Sequence, residues 1–166
     1  MGGRAGIVVF AAALCLSGGH NPIEAQRNAR PASVVAKRII GTWRLVSIEG
    51  DSLTRVLNRG AHPTGLLYYD ATGHMAVQIM PDRRRPSWPR LVLPTPEQAK
   101  EAVTGYLAYF GTYSVDERAR TVTHHRQGAL DFDVVDYVRR YEFVGNDRLI
   151  LTLERPGNRL IWERVK

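Results

Sequence analysis

A chain of 166 residues with 44% hydrophobic and 23% charged residues is long enough for one compact domain with a sizeable core and too short for two. Its 15 Gly and 9 Pro are dispersed, and its composition excludes collagen-like, low-complexity and wholly disordered chains. The formal charge of +7 suits an anionic partner but serves solubility equally well; Lys37, Lys100 and Lys166 are the only lysines, so most of the positive charge is guanidinium.

The N-terminus follows the plan of a secretory signal. Arg4 supplies a positive start, Ile7 to Leu16 form an unbroken apolar run, and Ser17, Gly18 and Gly19 follow. Ten apolar residues are too few to span a bilayer, and nothing later in the chain is both longer and uncharged, so no transmembrane helix is expected. The best cleavage point follows Ala25. Residues 1–25 are then a signal peptide, 26–37 a flexible leader and 38–166 the folded domain, and the expected location is periplasmic or secreted. Cys15 is the single cysteine. Leu14 before it is not the small residue that a lipidated Cys requires, and the mature chain would hold no thiol and no disulfide.

From Arg38 onward the pattern is short strands separated by turn residues. Strands are expected at 41–49, 64–69, 74–80, 111–115, 121–127, 137–144, 148–154 and 159–165. The turns are Asp70-Ala71-Thr72-Gly73, Asp116-Glu117-Arg118, Gly145-Asn146-Asp147 and Pro156-Gly157-Asn158. One helix interrupts the series. Thr95 is its N-cap, Pro96 its first residue and Gln98 the partner in a capping box. Ala99, Val103, Tyr106, Leu107 and Phe110 give a helical apolar stripe expected to lie on the sheet. Ahead of it, Pro81, Pro86, Pro89 and Pro94 with Arg83, Arg84, Arg85, Arg90 and Trp88 make an irregular loop, read as a solvated barrel mouth and not as a nucleic-acid or anionic-membrane surface.

Eight mostly antiparallel strands with short turns hide their edges by closing into a barrel, whose interior has room for packed side chains or one small ligand; a sandwich is the alternative. Gly41-Thr42-Trp43 resembles the Gly-x-Trp signature of lipocalins, which implies that Trp43 plugs the closed end with Arg164 stacked on it. The longer match is Gly41-Thr42-Trp43-Arg44-Leu45, Pro63-Thr64-Gly65-Leu66-Leu67-Tyr68-Tyr69-Asp70 with Gly73-His74-Met75, residues 105–113, Thr121-Val122-Thr123-His124-His125 and Val138-Arg139-Arg140-Tyr141. In this order, over residues 39–165, it resembles the bacterial lipocalin-like domain family. The resemblance implies a mainly β, closed eight-stranded antiparallel lipocalin-like barrel with one α-helix; that family has no generally established activity, so no site residue is carried over.

Strand parity selects the candidate site. Adjacent His124 and His125 point to opposite faces, and no Cys or nearby acid completes a metal shell, so neither metal nor other cofactor is expected. His62 and His74 lie near turns without chelating spacing. Tyr137, Arg139, Tyr141 and Phe143 share one strand face, expected to be inward. Arg139 is thereby drawn inside, to pair with a buried carboxylate, stack on a Tyr or hold an acidic or carbonyl-bearing ligand. His124 with Tyr113, Tyr141 and Arg139 is the expected polar cluster. Tyr69, Met75, Val77, Ile79, Leu151 and Trp162 would line the rest, each of them equally a plain core residue. No nucleophile elbow, phosphate loop, dinucleotide fingerprint or zinc-protease motif is present. The leading reading is an exported barrel that binds a small, largely hydrophobic molecule and has no nucleic-acid partner. The alternative is an isomerase or cyclase of a small hydrophobic metabolite, with His124 as proton carrier and Arg139 stabilising an oxyanion.

Overall fold

The computed structural model describes residues 34–50, 59–83, 86–130, 135–153 and 157–166. The segment read as a signal peptide therefore lies outside the described residues, as do Arg84 and Arg85. Eight strands follow in chain order: β1 (Gly41–Glu49), β2 (Thr64–Tyr69), β3 (His74–Met80), β4 (Leu107–Asp116), β5 (Thr121–Ala129), β6 (Tyr137–Val144), β7 (Arg148–Thr152) and β8 (Arg159–Arg164). Each pairs antiparallel with the next, and β8 returns to β1, closing the barrel. Closure leaves no strand edge unpaired.

The alternation that predicts the strands also sorts the faces. On β3, Met75, Val77 and Ile79 are buried while His74, Ala76 and Gln78 are exposed; on β5, Val122, His124 and Arg126 are buried. The connections sort the two ends. Short turns join β2 to β3, β4 to β5 and β6 to β7 at one end, and the longer connections, including 50–63 and 81–106, all lie at the other. The short-turn end is the floor and the other the mouth.

The floor is plugged. Trp43 is fully buried, its indole Nε1 donates to the Ile39 carbonyl at 2.8 Å, and the Arg164 guanidinium lies 4.1 Å from its ring centre. Arg164 in turn donates to the carbonyls of Ile40 at 2.8 Å and Arg38 at 2.5 Å. These bonds tie β8 to the short helix α1 (Val34–Ile39), which crosses the boundary expected at residue 37. Gly41 makes the arrangement possible: its φ is +134°, and a Cβ there would stand 2.6 Å from Arg164 Nη1.

The second helix, α2 (Pro96–Val103), differs from expectation in length and packing. Its capping box is formed, with Gln98 N donating to Thr95 Oγ1 at 3.2 Å and Thr95 N to Gln98 Oε1 at 2.9 Å. Yet it stops at Val103, Thr104 is extended and Gly105 takes φ +75°, so Leu107 and Phe110 belong to β4 and Tyr106 to the turn before it. The spacing of those apolar residues fits a strand as well as a helix, and glycine decides between them. None of the helix's residues is buried, so no apolar stripe seats it on the sheet. Arg83 ties it down instead, bonding the Glu101 carboxylate and donating to the Thr104 carbonyl at 2.6 Å. Trp88, Arg90 and residues 91–93 of the preceding loop are exposed. Among the described residues no helix is long and apolar enough to cross a membrane.

Candidate functional site

The mouth half of the barrel encloses a cavity of about 130 Å³. Leu67, Val77, Ile79, Leu107, Leu151, Leu153, Leu160 and Trp162 form its apolar wall; Arg59, Tyr109, His124, Tyr137 and Arg139 supply its polar groups. Inward positions of seven strands, β2 to β8, converge here because a barrel's alternate side chains all face its axis. Among the described residues no acidic side chain lines the cavity.

His124 stands at the cavity's base between two tyrosines. Tyr69 Oη is 2.5 Å from its Nε2 and Tyr109 Oη is 2.8 Å from its Nδ1. The ring is almost completely buried, and burial, with the charges of Arg139 and His125, pushes its pKa down to about 3. It is therefore neutral at pH 7, with one nitrogen donating and the other accepting. The tyrosines shift the opposite way. Burial pushes Tyr109 up to about 12 and holds Tyr69 well above the usual phenol range. The three rings form a hydrogen-bonded row across the middle of the barrel, neutral at pH 7, with the Arg139 side chain bonded to its Tyr109 end.

Around it sit cations stacked on rings. The Arg139 guanidinium lies 4.4 Å from the Tyr137 ring centre and donates to the Val138 carbonyl at 3.3 Å. Arg126 lies 3.9 Å from the same ring and 5.6 Å from that of Tyr109, and its Nε donates to the Val135 carbonyl at 2.7 Å. Arg59, 5% exposed, reaches in from the connection before β2 and donates from Nε to the Gly105 carbonyl at 2.9 Å. Burial lowers its pKa.

Of the residues singled out from sequence, His124, Arg139, Leu151 and Trp162 meet at this cavity, with Val77 and Ile79. Tyr69, Met75, Tyr113 and Tyr141 do not line it. Tyr69 touches the site only through His124. Tyr113 pairs with His124 across β4 and β5, but its hydroxyl turns to the floor and donates to the Asp70 carbonyl at 2.7 Å. Tyr141 is four residues beyond Tyr137, roughly 13 Å along the strand, and packs on Phe143 near the plug. The expected cluster of His124, Tyr113, Tyr141 and Arg139 is thus corrected to His124, Tyr69, Tyr109 and Arg139. Three polar contributors escape sequence reading. Tyr109 is hidden by the over-extended helix and Arg59 lies in a connection without periodicity, whereas Arg126 shares the parity of His124 and was open to the same argument.

On the outer wall, Ser114 Oγ is 2.9 Å from His125 Nε2 and His125 Nδ1 is 2.7 Å from an Asp136 carboxylate oxygen. The order is that of a hydrolase triad, but the three side chains lie on the solvated outer wall, with Ser114 inside the β4–β5 ladder and Asp136 just before β6. Oxyanion stabilisation needs donors pre-aimed at one point, which a strand backbone committed to its ladder does not supply. No cluster of three or more metal-ligating side chains stands among the described residues.

The profile of the lipocalin-like domain family matches residues 40–165. A structure described as the fluorescent protein UnaG, wild type, is similar over 78% of this chain and 98% of its own, at 13% identity and a TM-score of 0.38. No curated protein sequence matches.

Proposed function

Because the chain belongs to the lipocalin-like domain family, whose barrel is built around an interior, we propose that it is an exported binding protein that holds a small, largely apolar molecule inside the mouth half of its barrel. The carrying observation is the cavity itself: a wall of Leu, Ile, Val and Trp side chains with a few polar groups set into it, the usual composition of a small-molecule site. Export is supported by the Arg4-led apolar run and the small residues after it.

The chemistry of His124 weighs for binding over isomerase or cyclase activity. A general base works best with a pKa near the operating pH, whereas burial holds this ring at about 3 and both its nitrogens are engaged by tyrosine hydroxyls. Titration with an environment-sensitive hydrophobic dye of a single ring, small enough for this cavity, tests the reading. Saturable, competable binding that is lost in Leu151→Arg is expected; a signal only on unfolding would refute an accessible interior. Mass spectrometry of material copurifying from native periplasm would identify the ligand, and intact mass after bacterial expression should show loss of about 25 residues. A full-length cytosolic product would refute export.

A further inference from the structure

The cavity's size and its polar groups together define a ligand class. About 130 Å³ is far below the several hundred Å³ of a typical drug-sized pocket. It is close to the roughly 150 Å³ of an engineered apolar cavity that admits benzene. The apolar part of the ligand is therefore one ring or a short branched chain.

The polar groups ask for negative charge. Arg59 is 5% exposed, clamped at the mouth by its bond to the Gly105 carbonyl and by Asp82 N donating to its own carbonyl at 2.6 Å. Among the described residues no carboxylate lies within ion-pair distance of it, and none lines the cavity that it faces. A buried guanidinium without a counter-charge is costly, and an anion entering beside it relieves that cost. Arg139 adds a second positive charge to the same wall. Independently, Trp162 is fully buried on this wall and its Nε1–H has no hydrogen-bond partner among the described residues. Buried indole donors are ordinarily satisfied, so an orphaned one beside a cavity points to an acceptor atom in the ligand.

We infer that the cavity takes a compact carboxylate: an apolar body of about one six-membered ring, carrying an anionic oxygen pair held by Arg59 and Arg139 and an acceptor within reach of the Trp162 indole. The inference rests on the reading that the cavity binds a small molecule and narrows it by charge and size. Recognition requires no reaction, since a carboxylate presents two acceptors to a guanidinium's fork of donors.

Calorimetry on the purified protein tests charge and size separately, with benzoate, its neutral counterpart benzyl alcohol, and the long-chain carboxylate laurate. Benzoate is expected to bind at least tenfold more tightly than either. Arg59→Gln should weaken benzoate at least tenfold and leave benzyl alcohol within twofold, Arg59→Lys should restore part of the loss, and Trp162→Phe, which removes the indole N–H together with part of the ring bulk, should weaken benzoate severalfold and benzyl alcohol less. Circular dichroism would identify any variant that fails to fold, in which case Arg139→Gln, judged by the same pair of ligands, replaces it. Benzyl alcohol binding as tightly as benzoate would overturn the charge, and laurate binding more tightly would overturn the size; both leave the binding-protein reading standing. Absence of binding by all three together with the hydrophobic dye would overturn that reading as well.

Discussion

The two halves of this barrel are built from the same alternating strands yet differ in what fills them. At the floor, Trp43, Tyr69, Met75 and Val122 are buried together, and the polar groups there bond the protein itself: Trp43 to Ile39, Tyr113 to Asp70, Arg164 to Arg38 and Ile40. Toward the mouth, comparable apolar walls leave a cavity, and the Trp162 donor has no partner among the described residues. The two tryptophans make the contrast within one molecule. Each is fully buried, but one indole N–H is committed to the backbone and the other is not. A satisfied half stabilises; in the proposed binding function, the half with an unpartnered, desolvated donor exchanges stability for recognition.

The largest effect should come from breaking the floor. Trp43→Ala removes a fully buried side chain, its bond to Ile39 and the surface on which Arg164 stacks. Urea denaturation should show a loss of about 3–5 kcal/mol. Leu151→Ala, beside space that already exists, should fall at the lower end of its class, about 2 kcal/mol, because the wall there is already incompletely packed. Equal losses would mean that the two halves are packed alike.

His124, at the junction of the halves, should govern the pH range. Its pKa is depressed from 6.5 to about 3, so between those values the unfolded chain binds a proton that the folded one refuses. Its contribution to stability is complete above about pH 6.5 and declines as pH falls, by up to about 1.4 kcal/mol per unit. Tyr109 has the mirror behaviour: raised from 10.0 to about 12, it supports the fold fully below pH 10 and progressively less as pH climbs toward 12. Denaturation midpoints across pH should show both limbs, and His124→Gln should flatten the acid one. An unchanged acid limb in that variant would assign it to carboxylates elsewhere.

A smaller effect comes from the two tyrosines. In neutral His124 one ring nitrogen donates and the other accepts. Removing either hydroxyl leaves one nitrogen of a buried ring without its partner and should cost about 1–3 kcal/mol. Tyr109→Phe also removes a bond with the Arg139 side chain, so in urea denaturation it should cost more than Tyr69→Phe; equal costs would mean that the Arg139 bond contributes nothing.

Much of this fold was legible because barrel strands announce themselves by period and punctuation. Met75, Val77 and Ile79 alternate cleanly, and turns such as Asp70-Ala71-Thr72-Gly73 separate the runs. The start of β4 was not legible from spacing, since Tyr106, Leu107 and Phe110 satisfy a helical period and Leu107 and Tyr109 a strand period. Parity placed His124 and Arg139 inside. It could not tell which inward residues share a level, because level depends on strand stagger and on the bulge between Phe110 and Gly111. A Cβ at Gly111 would lie 2.0 Å from the His125 carbonyl, so that bulge requires glycine. Arg59 belongs to a connection, where no periodicity marks a residue that folds inward.

The smallest effect is expected on the outer wall, directly behind His124. His125 is the next residue, yet its ring meets Ser114 and Asp136 in solvent, with the carboxylate about half exposed. Exposed pairs of this kind contribute about 0–1 kcal/mol. Ser114→Ala and His125→Ala should each change stability by less than about 1 kcal/mol and leave ligand affinity unaltered, because neither residue touches the cavity. The triad-like order also makes a chemical prediction. A serine becomes a competent nucleophile only when a base activates it and pre-aimed donors receive the oxyanion, and the solvated outer wall provides the first without the second. A serine-directed fluorophosphonate should therefore leave Ser114 unlabelled by mass spectrometry; stoichiometric labelling that disappears in His125→Ala would show that this wall is chemically active and that the interior is not the barrel's only functional surface.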